Sequence, residues 1–143
     1  MDDLDTALIG LLQTDARQSI ATLARKLRVA RTTVQSRLER LETKGVIAGY
    51  TVKLGDGAAK PLIHASVLMS IEPRSQAAIL QRLRVMPDIE RVFTTSGRFD
   101  LLLQVAAQST AVLDGVLDMV AGLPGVKGSE SLIHLTTRID RGR

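Results

Sequence analysis

The sequence contains no cysteine, which excludes disulfides, thiolate chemistry and cysteine-ligated zinc sites. Histidine is nearly absent too. His64 and His134 are the only two, and a pair of imidazoles without a third clustered ligand makes a poor metal site, so we read both as sheet-face residues. No apolar run approaches the ~18 residues of a membrane-spanning helix. The amino-terminal stretch MDDLD is acidic where a secretory signal is basic, and the expected location is therefore the cytoplasm, with no membrane partner. No Ser/His/Asp constellation of a hydrolase is evident. Ser19, Ser75 and Ser109 stand where helix caps are expected, and Asp114/Asp118 read as solvated surface at i, i+4. No cofactor is implied.

What the chain does have is a local excess of positive charge. Its 143 residues, 45% hydrophobic and 24% charged, suit one ordinary domain or two small ones. The net charge of +4 is mild, but its distribution is uneven. Residues 16–44 carry eight basic side chains against Glu39 and Glu42, whereas residues 61–143 carry nine basic against eight acidic. A short basic window of this kind is the footprint expected for a polyanion partner. A solvated helical face has the same composition, so charge alone does not decide.

Hydrophobic spacing divides the chain at GDGAAKP, residues 55–61, where periodicity is lost and Gly, Asp and Pro cluster. Before it, LDTALIGLLQTDAR repeats leucine at helical spacing behind acidic residues that suit a helix amino terminus. SIATLARKL offers Ser19 as N-cap with Leu23 and Leu27 at i and i+4. A third helix is predicted from about Arg31 to Lys44, stopped by Gly45 as a left-handed cap residue. VIAGYTVKL is expected to form a short strand or hairpin. After the seam the elements read β-α-β-β-α-β. The strands are LIHASVLMSI, IERVFTTS, DLLLQVAA and SLIHLTTRI, with a tight hairpin at GRF. The helices are SQAAILQRLRVM and STAVLDGVLDMVAGL. A weak repeat supports this order, since MPDI and LPGV both follow a helix with proline and enter a strand. The arrangement is the ferredoxin-like split βαβ. One face of its sheet is covered by helices. The other, with Leu62, His64, Ser66, Leu68, Leu132 and His134, is too apolar for open water, and self-association is the simplest cover.

Helices two and three carry the chemistry. A helix-turn-helix wants a small residue where its helices cross, a turn about four residues on, and an apolar residue ten beyond the first; Ala24, Arg28 and Val34 fall on that spacing. With Val34, Leu38 and Leu41 inward, Arg31, Thr32, Thr33, Gln35, Ser36 and Arg37 are left able to reach a groove. Gln suits adenine, Arg guanine, and the Thr methyl the thymine methyl, while Arg37, Arg40 and Lys44 suit phosphate. Two positions depart from the ideal. Arg28 stands where glycine is usual, costing about 1 kcal/mol if left-handed, and Ala30 replaces a capping hydroxyl, forfeiting ~1 kcal/mol.

As a whole the chain resembles the Lrp/AsnC family of transcription regulators. The resemblance rests on LD (4–5), DARQSIATLARKL (15–27), RLERLETKGVIAGYTVKL (37–54), VFTTSGRFDLLL (92–103) and LPGV (123–126). It implies an α+β chain with a winged helix-turn-helix over 1–50, a linker strand and hinge over 51–61, and a ferredoxin-like effector and oligomerisation domain over 62–143. It further implies double-stranded DNA with a near-palindromic operator as partner, nucleoid association, and a homodimer gathered into octamers. A small amino acid is implied as effector between dimers, near the turn Thr95-Ser96-Gly97-Arg98-Phe99-Asp100, with Ser129 and Glu130 as a second region. Arg98 would suit the effector carboxylate and Asp100 its amine. A polar, glycine-bearing turn is also what any hairpin requires. Two other readings stay open: an enzyme like the sirohaem decarboxylases, which resemble the same architecture and would use His64 and His134, and an architectural DNA-binding protein without an effector.

Overall fold

Acidic residues at the start and leucines in phase give the first helix, α1 (Asp3–Thr14), in the computed structural model, which describes residues 1–55, 57–58 and 61–141. Asp2 caps α1 by accepting from the Asp5 N–H, and its own N–H donates to the Asp5 carboxylate, a reciprocal capping box. The second helix, α2 (Ile20–Leu27), opens on Ser19, whose hydroxyl accepts from the Thr22 N–H. The third, α3 (Arg31–Thr43), ends where Gly45 turns left-handed at φ 73°. Leu8, Leu23, Ala24, Val34 and Leu41 are buried together between the three.

Arg28 adopts φ 57° and ψ 46°, the left-handed conformation that glycine takes more cheaply. The bond from the Val29 N–H to the Ala24 carbonyl, 3.0 Å, closes the turn around it. Ala30 occupies the N-cap of α3 without a side-chain bond. The strand or hairpin expected over 46–54 does not form: these residues are irregular. A strand needs a ladder partner, and among the described residues no segment pairs with this one. Ile47 instead folds back on the three-helix core, its N–H donating to the Leu41 carbonyl at 3.0 Å. Tyr50 donates to Glu42 at 2.8 Å, and Val52 and Leu54 are exposed.

The chain divides into two compact units, Met1–Leu54 and Gly55–Arg143. Three positions of the seam, Asp56, Ala59 and Lys60, lie outside the described residues. The second unit contains β1 (Ile63–Ile71), α4 (Gln76–Arg84), β2 (Ile89–Thr94), β3 (Leu101–Ala107), α5 (Thr110–Ala121) and β4 (Val126–Ile133). Its sheet is antiparallel in the order β2-β3-β1-β4, the ferredoxin-like topology. Alternation places Ala65, Val67, Met69 and Ile71 of β1 beside Leu101, Leu103, Val105 and Ala107 of β3, all buried against α4 and α5. Each large aliphatic group buried there stabilises by about 1.5–3 kcal/mol. The opposite face presents His64, Ser66 and Leu68, with Leu102, Phe93 and Leu132 in register around them.

Two local expectations need correction. The last strand begins at Val126, earlier than SLIHLTTRI, because Gly125 at φ 94° turns the chain straight into the β1 ladder. Ser75 sits at the N-cap of α4, but its hydroxyl makes no capping bond. A 3-10 turn over Pro73–Ser75 precedes the helix, so Ser75 is itself helical. Ser109 does cap α5, accepting from the Val112 N–H at 3.2 Å.

Candidate nucleic-acid interface and effector turn

The packing of α3 decides which of its side chains are free. Val34 and Leu41 are buried and Leu38 packs against the same cluster. A helix of 3.6 residues per turn then turns Thr32, Ser36, Glu39 and Thr43 outward along one ridge, with Arg31, Gln35 and Arg40 beside it; all are exposed, and Thr33 is half-buried. At the amino end Ala30 supplies no side-chain acceptor, so the first turn of α3 and its dipole stay open toward an anion. Arg31, Thr32, Gln35 and Ser36 make no hydrogen bond or ion pair through their side chains among the described residues.

Arg37 and Arg40, both expected at phosphate, also reach the carboxylates of α1, Arg37 half-buried and Arg40 exposed. The Arg37 guanidinium is bound to the carboxylates of Asp2 and Asp5. Arg40 donates to the second oxygen of Asp5 at 2.9 Å. Asp5 is the one buried charged side chain among the described residues, 1% exposed. It opposes two guanidinium groups and accepts the Asp2 N–H as well. The bond from Arg37, followed by that from the Asp5 N–H, lowers Asp2 to about 2. At Asp5, desolvation opposes the charged form. The bonds from Asp2 and Arg37 and the nearby Arg40 outweigh it, and the carboxyl stays below its ordinary value. Arg37 is raised, first by Asp2 and then by Asp5.

Sequence reasoning missed this cluster, although a signal was present. Asp5 lies in phase with Leu8 and Leu12 on the apolar stripe of α1, where a charge is tolerated only with a partner. Arg37 and Arg40 are three apart on one face of α3, which suits a single carboxylate held between them. Lys44, also expected at phosphate, is exposed and lines an open cavity with Arg40, Asp2 and Asp5.

The turn expected to bind an effector is the six-residue connection from Thr95 to Asp100, longer than the tight GRF hairpin anticipated. The Thr95 N–H donates to the Asp100 carbonyl at 3.0 Å, and its hydroxyl donates to the Phe99 carbonyl at 2.7 Å. Gly97 takes φ 108° at the apex. Asp100 is already engaged. Its N–H donates to the Met69 carbonyl, and its carboxylate accepts the Ile71 N–H at 2.9 Å, where the β1–β4 register shifts. The Arg98 guanidinium lies 4.9 Å from the Phe99 ring centre and 3.4 Å from the Glu130 carboxylate. Thus the turn and Glu130 meet across the sheet. Ser129 does not join them, since it pairs with Met69 and alternates to the other face. Ser96 and Gly97 are exposed at the tip. Elsewhere on the open face, His64 and His134 stack with ring centres 6.4 Å apart, and the Ser66 hydroxyl lies 2.8 Å from His134 Nε2.

Two family models match the chain: the AsnC-type helix-turn-helix domain over residues 1–42 and the Lrp/AsnC ligand binding domain over 64–143. Among characterised relatives, the HTH-type transcriptional regulator FL11 of Pyrococcus furiosus is 27% identical over 135 residues, 94% of this chain and 89% of that protein. Among solved structures, E. coli AsnC superposes with a TM-score of 0.88 at 21% identity, covering 99% of this chain and 96% of that one. A transcriptional regulator from Neisseria meningitidis in complex with L-Met superposes with a TM-score of 0.87 at 22% identity, covering 98% and 93%. At these identities the two structures establish the fold. Among the described residues no helix is long and apolar enough to cross a membrane.

Proposed function

This chain belongs to the Lrp/AsnC family, and from that premise we propose that it is a sequence-specific DNA-binding transcription regulator modulated by a small amino-acid-like effector. The observation that carries the reading is the outward face of α3, where Arg31, Thr32, Gln35 and Ser36 stand exposed beside an uncapped helix amino terminus. Exposed Arg and Gln on a helix set clear of its core by a helix-turn-helix crossing are the groups that read major-groove edges. Gln35→Ala should alter site preference in a gel-shift titration against competing duplexes. Unchanged preference would move the recognition surface off α3.

We assign residues 1–50 to DNA binding, 51–61 to a linker and 62–143 to effector binding and oligomerisation. The open sheet face, with Leu68, Phe93, Leu102 and Leu132, is the surface we assign to a homodimer, which octamers would repeat. Dimerisation sets two copies of α3 roughly 34 Å apart or a multiple of it, hence a near-palindromic operator. The effector reading rests on the ligand-binding family model and on the Arg98–Glu130 pair, whose charges suit the two ends of a zwitterion. The L-Met complex of the Neisseria fold neighbour makes an amino acid the class to test first. The function is read as non-enzymatic and as exercised in the cytoplasm at the nucleoid. Visible absorption by the purified protein would instead favour a tetrapyrrole-binding enzyme of this architecture.

A further inference from the structure

The carboxylates at the start of α1 divide the cations of α3 into two kinds. The guanidinium of Arg37 faces two carboxylates, and its side chain is 25% exposed. Arg40 spends one nitrogen on Asp5, and its side chain is 46% exposed. It sits next to the outward ridge of Thr32, Ser36 and Glu39, and shares an open cavity with Lys44, one turn further on. Asp5, buried at 1%, is anchored in turn by the α1 capping box. Its carboxylate therefore has a fixed direction, which long exposed side chains lack. An arginine fork has five donors, so Arg40 bound to Asp5 through one nitrogen keeps donors free for a second anion.

We propose that Asp5 is a positioning residue for DNA binding: it holds Arg40 at the edge of the recognition face for a phosphate, while Asp2 and Asp5 together withdraw Arg37 from the phosphate contacts. This rests on the DNA-binding reading of α3 and adds to it an acidic residue on another helix. The role differs in sign from simple electrostatics. A buried carboxylate that merely neutralised two arginines would oppose DNA binding, and its removal would tighten binding to any duplex. A carboxylate that orients Arg40 supports binding, and its removal weakens it even though the protein becomes more positive.

The test is an anisotropy titration of a mixed-sequence duplex across a salt series, at temperatures where each full-length variant retains its helical signal. Loss of one phosphate contact makes the slope of log affinity against log salt shallower by about 0.9. Arg40→Ala is expected to give that loss per recognition helix engaged. Arg37→Ala should leave the slope unchanged and lower the melting temperature. Asp5→Asn should weaken binding and flatten the slope as Arg40→Ala does, and combining the two should cost no more than Arg40→Ala alone. Tighter binding with a steeper slope in Asp5→Asn would overturn the proposal. So would a slope lost equally in Arg37→Ala and Arg40→Ala, a comparison that stands if Asp5→Asn does not fold. Failure of the unmodified protein to bind duplex at all would refute the DNA-binding reading, and the positioning role with it. Binding that is intact but indifferent to Arg40 refutes the positioning role alone.

Discussion

Replacing Ala30 with serine should stabilise the amino-terminal unit, and α2 supplies the internal standard. Ser19 caps α2 with φ −68° and ψ 157°, and its hydroxyl accepts the Thr22 N–H at 3.1 Å. Ala30 holds the same position in α3 with φ −71° and ψ 153°. The backbone is therefore already set for a cap and lacks only the oxygen. The N–H three residues on, that of Thr33, reaches the Ala30 carbonyl at 3.1 Å, a three-residue span of poorer geometry than a full helical bond. A hydroxyl at residue 30 would give that donor a better acceptor. Caps of this type contribute about 1 kcal/mol, so Ala30→Ser should gain about that amount and Ser19→Ala should lose it. For a unit as small as Met1–Leu54, about 1 kcal/mol moves the transition toward the upper end of about 4–8 °C. Calorimetry reads this as an upward shift of the amino-terminal transition in one variant and a downward shift in the other, while the transition of the second unit stays in place. If Ser19→Ala is destabilising and Ala30→Ser is neutral, matching backbone angles do not suffice for a cap at residue 30.

Three further outcomes are expected from contacts elsewhere in the fold. Asp2 at about 2 lies below the ordinary 3.8, so its contribution is full above about pH 4 and lost as pH falls through about 2. Acid melts of the helical signal should then show Asp2→Asn less sensitive across that window than the unmodified protein, and parallel curves would contradict the pairing with Arg37. Gly125 has φ 94°, and a Cβ there would come within 2.3 Å of Ser75 Cβ. Gly125→Ala should destabilise the second unit by at least about 1 kcal/mol in urea melts, with Ser75→Gly restoring only the part due to the clash. In a thermal-shift screen of the twenty amino acids, an effector is expected to raise the melting temperature and Arg98→Ala to abolish the shift; a shift retained in that variant would place the site elsewhere.

Much of this architecture is legible in the sequence because short-range rules decide it. The α2–turn–α3 spacing, Ser19 and Ser109 as caps, Gly45 as a stop and the alternation of β1 are each set by a few neighbouring residues. The strained Arg28 and the uncapped Ala30 were visible too, as the wrong residue at a recognised position. What was not legible depends on partners distant in the chain. The segment 46–54 has strand composition, but composition supplies no ladder partner. β4 starts at Val126 because Gly125 turns left-handed at φ 94°, at a place where a Cβ would strike Ser75, fifty residues earlier in the chain. In the candidate interface, the exposed side chains at the start of α3 follow from helical phase alone. The fate of Arg37 and Arg40 was hidden, because it is set by a buried aspartate on α1 that sequence counts as surface charge.

Footprinting over a library of genomic fragments decides whether α3 reads sequence in DNA. Protection is expected at discrete, near-palindromic sites by the unmodified protein, with the preferred sequence changed by Gln35→Ala. Uniform protection of every fragment, or discrete protection that Gln35→Ala and Arg31→Ala leave untouched, would contradict that role of α3.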